Sequence, residues 1–199
     1  MENYYKIYAM NKTDVIFFIG RSGAGKGTQA KQLAERLNFF YWEMGGILRA
    51  EIAKQGETGK KIETLVNTGV LLSDADMYPV IESHLGDIPK DKGIIFDGFP
   101  RRLSQAYYIM GLLRGMGRKD MTTLFLDVPR EDSVGRLHHR AEIEHRADDT
   151  DEVITKRLDQ FDVETMPVLD YLETATKFYR VDGRPAIAEV TTAIHKILE

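Results

Sequence analysis

The sequence contains no cysteine. That excludes disulfide bridges, thiolate zinc sites and a cysteine nucleophile, and it suits a reducing compartment. Excess charge of one sign is also missing: 27 Lys and Arg stand against 31 Asp and Glu, a net charge of −4. Such a balance gives no reason to invoke nucleic acid or an anionic membrane as a partner. No apolar run approaches the ~20 residues that cross a bilayer. Residues 1–13 carry tyrosines (Tyr4, Tyr5, Tyr8) and scattered charges, but no apolar stretch of leader length. The expectation is a soluble cytoplasmic monomer, with an extension over 1–13 and one domain over 14–199. Hydrophobic residues, at 43%, suffice for a sizeable core.

Apolar runs recur with helical stretches between them. Strands are predicted at Val15–Ile19, Phe39–Trp42, Gly93–Phe96, Thr123–Val128 and Lys177–Val181. Helices are predicted over Gly27–Leu37, around Ile47–Val70, and over Ser104–Met116, Glu131–His139, Asp151–Leu172 and Ala186–Leu198. Alternation of this kind predicts an α/β fold, a five-stranded parallel sheet with helices on both faces. Ligands then sit at the carboxyl ends of the strands. Asp149, with Glu152 three residues on, reads as the cap of the helix that begins at Asp151. The cluster Asp148, Asp149 and Asp151 lacks the spaced oxygens and turn glycine of a calcium loop.

Gly20-Arg21-Ser22-Gly23-Ala24-Gly25-Lys26-Gly27-Thr28 fits the phosphate-loop pattern G-x-x-x-x-G-K-[ST], except that Gly27 takes the hydroxyl position and Thr28 follows. The run Val15–Ile19 precedes it, and Ala30, Leu33, Ala34 and Leu37 repeat at helical spacing after it. Strand, glycine loop and helix together offer backbone amides, a positive helix end and the mobile charge of Lys26 to phosphate oxygens. The plain alternative is a glycine-rich turn with an exposed lysine.

A second signal is Ile94-Ile95-Phe96-Asp97-Gly98-Phe99-Pro100-Arg101. A carboxylate that ends a strand is a common turn former. Beside a phosphate loop it can also hold magnesium, directly or through water. A third signal is the gathering of Arg136, Arg140, Arg146 and Arg157 in an acidic chain. Arg136 and Arg140, four apart, share a helix face. Guanidiniums match phosphate oxygens well, although a solvated face paired with Glu131, Glu142 and Glu144 explains the cluster too.

These segments together resemble the adenylate kinase group of nucleoside monophosphate kinases, from about Asp14 to the C-terminus. The family's GxPGxGKGTQ is similar to GRSGAGKGTQ at Gly20–Gln29, with Arg21-Ser22 in place of the small residue and proline. Its DGFPRxxxQA is complete from Asp97 to Ala106, and its lid arginines match Arg136, Arg140, Arg146 and Arg157 at short-lid spacing. The resemblance implies a P-loop NTPase fold with an acceptor-binding region at about 43–72 and a short lid at about 137–149. It implies magnesium-dependent, reversible phosphoryl transfer from ATP to AMP. Lys26, Arg101, Arg140, Arg146 and Arg157 would be catalytic. Gly23, Ala24, Gly25, Lys26, Gly27, Thr28, Arg136, Arg140, Gly183, Arg184 and Pro185 would bind ATP. Met44, Gly45, Arg49, Leu72, Gly98, Arg101, Gln105, Arg146 and Arg157 would bind AMP. Asp97 would hold magnesium through water, with Asp148 and Asp149 in support.

One segment departs from the family. Its acceptor helix opens Ser-Thr-Gly-Asp, and here Glu43-Met44-Gly45-Gly46 stands instead. Met44 cannot donate the hydrogen bond of a threonine. Gln105 argues for adenine as the acceptor base, since cytidylate and uridylate kinases resemble one another in carrying Asn there. Those kinases, and a nucleotide-binding regulator without turnover, are the rival readings. His138, His139 and His145 invite a zinc reading, but without cysteine and with a short lid none is expected.

Overall fold

The computed structural model describes residues 13–144 and 150–199. Five strands form one parallel sheet: β1 (Val15–Ile19), β2 (Phe40–Glu43), β3 (Ile94–Asp97), β4 (Met121–Asp127) and β5 (Lys177–Asp182), in the order β2-β3-β1-β4-β5. The predicted fold class is the observed one. Every residue of β1 is buried, because the sheet is covered on both sides.

Side chains alternate across β1. Val15, Phe17 and Ile19 face one core, and Ile16 and Phe18 face the other. The second core is closed by α1 (Lys26–Leu37) and α9 (Ile187–Leu198), through Ala30, Leu33, Val190 and Ile194. The first is closed by α2 (Met44–Ala53), α3 (Glu57–Asn67), α4 (Asp74–Leu85), α5 (Leu103–Gly115) and α8 (Met166–Ala175). Each fully buried Phe, Ile or Leu contributes about 1.5–3 kcal/mol. A small third cluster, Leu137, Ile154 and Leu158, joins α6 (Arg130–Glu144) to α7 (Asp151–Gln160).

Several predicted bounds need correction. The stretch Ile47–Val70 is two helices, because the chain breaks at Gln55, with φ +55, and Gly56. The helix predicted as Asp151–Leu172 is interrupted by a π-helical turn at Phe161–Thr165 and runs on to Ala175. The helix after β4 reaches Glu144 rather than His139. β2 starts one residue later than predicted, and β4 two residues earlier. Helix α4 was not predicted at all. Pro79 in its interior disguised it, although Ser73 with Asp76 three residues on is a capping signal: the Asp76 amide donates to Ser73 Oγ. The cap of α7 is Thr150, whose Oγ1 accepts from the Val153 amide, and not Asp149. Asp149 itself lies outside the described residues.

Candidate active site

The parallel register aligns the strand ends that carry the motifs. Asp97 sits beside Phe18 of β1 on one side and Glu43 of β2 on the other. The phosphate loop leaves β1 at that edge. Gly23 has φ +82, and a Cβ there would lie 2.7 Å from the Ser133 carbonyl oxygen. Gly25 has φ +90 and stands at the N-cap of α1. A side chain is strained at both, so the loop needs glycine to aim its amides inward. Ala24, within the loop, points its methyl into the core.

Lys26 opens α1, and its Nζ donates to the Arg21 carbonyl oxygen at 2.8 Å. Burial strips water from the ammonium and lowers its pKa to about 8. Asp97 opposes the shift, while Arg101 and Arg140 add to it. Arg21 replaces the family's small residue and serves as an anchor. Its guanidinium bonds Asp162 at 2.7 Å and the Val128 carbonyl at 3.3 Å, and lies 5.1 Å from the Phe161 ring centre. The phosphate loop is thereby tied to the π-helical turn.

Asp97 is 7% exposed, and its Oδ2 accepts from the Tyr41 hydroxyl at 2.8 Å. Burial raises the Tyr41 pKa, and Asp97 raises it further, so the phenol stays a donor. Beyond Asp97 the chain turns at Gly98, φ +75, and the Phe99–Pro100 peptide is cis. Arg101 folds back, its Nε donating to the Gly98 carbonyl oxygen at 2.8 Å. Its pKa is lowered by burial and then by Arg157, against the pull of Asp97. Thr165, in the π-helical turn, donates to the Arg101 carbonyl.

A cleft of about 740 Å³ opens over these groups. Its walls bring together Gly23, Gly25, Lys26, Gly27 and Thr28 from the loop, and Asp97, Gly98, Arg101 and Gln105 from the β3 end. Met44, Gly45, Arg49 and Leu72 line it from the 43–72 region, and Arg136, Arg140 and Arg157 from α6 and α7. A small hollow of about 50 Å³ adjoins it, floored by Arg101, Arg157, Gln160 and Thr165.

The expected residues differ in how they are held. Gln105 is 1% exposed and committed at both ends of its amide: Oε1 accepts from the Arg101 amide at 3.0 Å, and Nε2 donates to Asp74 at 3.3 Å. The Leu72 carbonyl accepts from Arg102 at 2.6 Å. Met44 is 1% exposed and belongs to the core, so only the edge of its side chain meets the cleft. Arg136 donates to the Arg184 carbonyl at 3.1 Å. Gly183, Arg184 and Pro185 are reached from the cleft wall through that bond, and Arg184 is held by Asp182. Arg146, Asp148 and His145 lie outside the described residues. His138 pairs with Asp151 at 2.8 Å, and among the described residues no three His, Asp or Glu side chains converge as a metal site. The sequence reading missed Tyr41, Glu43, Arg102 and Asp74. Tyr41 becomes visible only through its bond to Asp97 across the sheet, Glu43 stands out in the sequence only as part of the departure from the family's acceptor helix, and Asp74 stands on the unpredicted α4.

The cleft thus gathers one half-buried lysine and several guanidiniums around one buried carboxylate, at the mouth of an amide-lined loop. Residues 18–177 match the family model described as Adenylate kinase. The chain belongs to the adenylate kinase family. An adenylate kinase of Phocaeicola vulgatus is 34% identical over 92% of this chain and 98% of its own length. One from Stenotrophomonas maltophilia is 38% identical over 90% and 96%, and one from Thermus thermophilus 35% identical over 95% and 99%. The adenylate kinase match spans every cleft residue named above. As a member of that family the protein is a nucleoside monophosphate kinase, a transferase.

Proposed function

We propose that this cleft carries the reversible transfer of the terminal phosphoryl group of ATP to AMP, giving two ADP, and that the residues named below perform it. The observation that carries the reading is the convergence of Lys26, Arg101, Arg140 and Arg157 on one cleft with Asp97. Phosphoryl transfer asks little covalent chemistry of a protein. It asks for in-line positioning and for positive charge around the moving group.

The loop amides of Gly23 to Thr28, with Lys26, hold the donor phosphates. Arg136 and the Gly183–Pro185 turn flank the donor base. Arg49, Arg101 and Arg157 hold the acceptor phosphate and the moving group. Gly45, Gly98, Met44, Leu72 and Gln105 wall the acceptor base. The Gln105 amide is already engaged at both ends, so it reads the base by releasing Asp74. Arg140, together with Arg146 of the lid, closes over the phosphates. The regions 43–72 and 137–149 are the moving pieces, and their closure keeps water from competing for the phosphoryl group. A phosphate oxygen of AMP attacks the γ-phosphorus, and ADP leaves from the far side.

Magnesium accompanies ATP. A single buried carboxylate at the loop, bordering a roomy cleft, fits a cation that keeps most of its water, so Asp97 would hold it through water. When bound, it would neutralise charge on the donor's phosphates. The protein works as a cytoplasmic monomer on these nucleotides alone, without nucleic acid or membrane. In support of the absence of nucleic acid, Lys and Arg do not outnumber Asp and Glu.

A coupled assay with ATP as donor tests the acceptor directly. AMP is expected to exceed CMP and UMP by at least about tenfold in kcat/KM. A preference for CMP or UMP reassigns the acceptor, and nucleotide binding without ADP formation makes the protein a regulator. Lys26 supplies a second readout. With a pKa lowered to about 8, it is only partly charged at about pH 8.5. A polyphosphate beside it favours the charged form, so ATP binding at that pH is expected to be accompanied by net proton uptake. Calorimetry in buffers of different ionisation enthalpy measures this. Uptake that persists in Lys26→Met assigns the proton elsewhere.

A further inference from the structure

We propose that Glu43 is a built-in competitor for the acceptor's phosphate and so sets how tightly this protein holds AMP. The proposal rests on the assignment of Arg49 to the acceptor phosphate.

Glu43 is the last residue of β2 and the N-cap residue of α2, yet its side chain makes no capping hydrogen bond. Its Oε1 instead accepts from Arg49 Nη2 at 2.8 Å. Both carboxylate oxygens also crowd the two glycines that open α2. A Cβ on Gly45 would stand 3.3 Å from Oε1, and a Cβ on Gly46 3.2 Å from Oε2. A carboxylate therefore occupies the place where a guanidinium and a positive helix start coincide. A phosphate monoester recognises the same combination.

The glycines are what make room. A Cβ at 45 would stand 3.1 Å from Arg49 Nη1 and one at 46 3.2 Å from Glu43 Oε2, so a larger residue at either would make the pair shift. The pair also lies on the wall of the large cleft, with Glu43 31% and Arg49 54% exposed. At that exposure the pair is weak enough for a dianion to displace it. While Glu43 holds Arg49, only the remaining fraction of molecules is ready for the acceptor, and the apparent dissociation constant rises by that factor. Glu43 also faces the incoming phosphate with like charge. Both effects act on the acceptor, and neither touches the loop that holds the donor.

The test is Glu43→Gln, which keeps the shape and removes the charge. Calorimetric Kd and steady-state KM for AMP are expected to fall about three- to fivefold, with the KM for ATP unchanged. A gain in affinity cannot come from damaged folding. An AMP Kd that is unchanged or weaker overturns the proposal. Arg49→Gln separates the two layers of the argument. It is expected to weaken AMP at least about tenfold and to abolish the benefit of Glu43→Gln when the two are combined. If Arg49→Gln leaves AMP binding intact, the assignment of Arg49 fails. If Arg49→Gln weakens AMP but Glu43→Gln still helps equally in its presence, the assignment stands and the competition is overturned.

Discussion

Lys26→Ala is expected to lower kcat by about two to three orders of magnitude, the loss typical of removing one preorganised positive donor from a charge-developing site. The geometry gives the reason. Lys26 stands at the first turn of α1, shares its cleft with Arg101, Arg140 and Asp97, and donates to a loop carbonyl. Asp97 favours its charged form, but among the described residues no carboxylate is in ion-pair contact with it.

The stability effect has the opposite sign. The unfolded value of a lysine is 10.5 and the folded value of Lys26 is about 8, so folding disfavours its charged form. That cost is fully present below pH 8 and fades as the pH rises to 10.5. Lys26→Met, which keeps the aliphatic stem, is therefore expected to raise stability at pH 7 by about 1–3 kcal/mol. Denaturant midpoints at pH 7 and pH 10.5 check it, and the gain is expected to shrink at the higher pH. Near-normal turnover in Lys26→Ala rejects the role of the residue. A loss of turnover with a gain of stability leaves no room for unfolding as the cause.

The second large effect concerns Arg101. Arg101→Ala is expected to lower kcat about a hundredfold or more and to raise the KM for AMP at least about tenfold together. Burial, and then the nearby charge of Arg157, disfavour the charged form of Arg101. On the proposed reading, the acceptor phosphate and the moving phosphoryl group would offset that cost. Arg101→Lys is expected to recover only part of the loss, because an ammonium lacks the planar fork. The kinetic split is the decisive measurement. An effect confined to the KM for ATP would place Arg101 on the donor side and refute the acceptor role.

How legible was this site in the sequence? The phosphate loop was readable because its requirements are local. Glycines at positive φ, a lysine at the helix start and a preceding apolar strand lie within fourteen residues of one another. The β3 end was readable for the same reason, since Asp97, Arg101 and Gln105 follow one another on a strand, a turn and a helix. The helix break at Gln55–Gly56 and helix α4 were less so. In the first case one residue at φ +55 ended a run of good helix formers, and in the second Pro79 masked a sound capping signal. The π-helical turn left no mark that periodicity could register, because one extra residue in a turn shifts the apolar stripe without erasing it.

The sequence by itself determined the class of fold, the loop that meets phosphate and the set of cations available, because those follow from periodicity and short-range spacing. Only the tertiary structure decided what each cation is paired with. Arg21 meets Asp162 across 141 residues and Thr165 meets Arg101 across 64, while Glu43 and Asp97 become neighbours because β2 and β3 lie in register. It also decided that Met44 faces the core and that Gln105 is already engaged. Pairings and burial of this kind depend on where the sheet brings distant strand ends, and burial is what lowers the pKa of Lys26 to about 8.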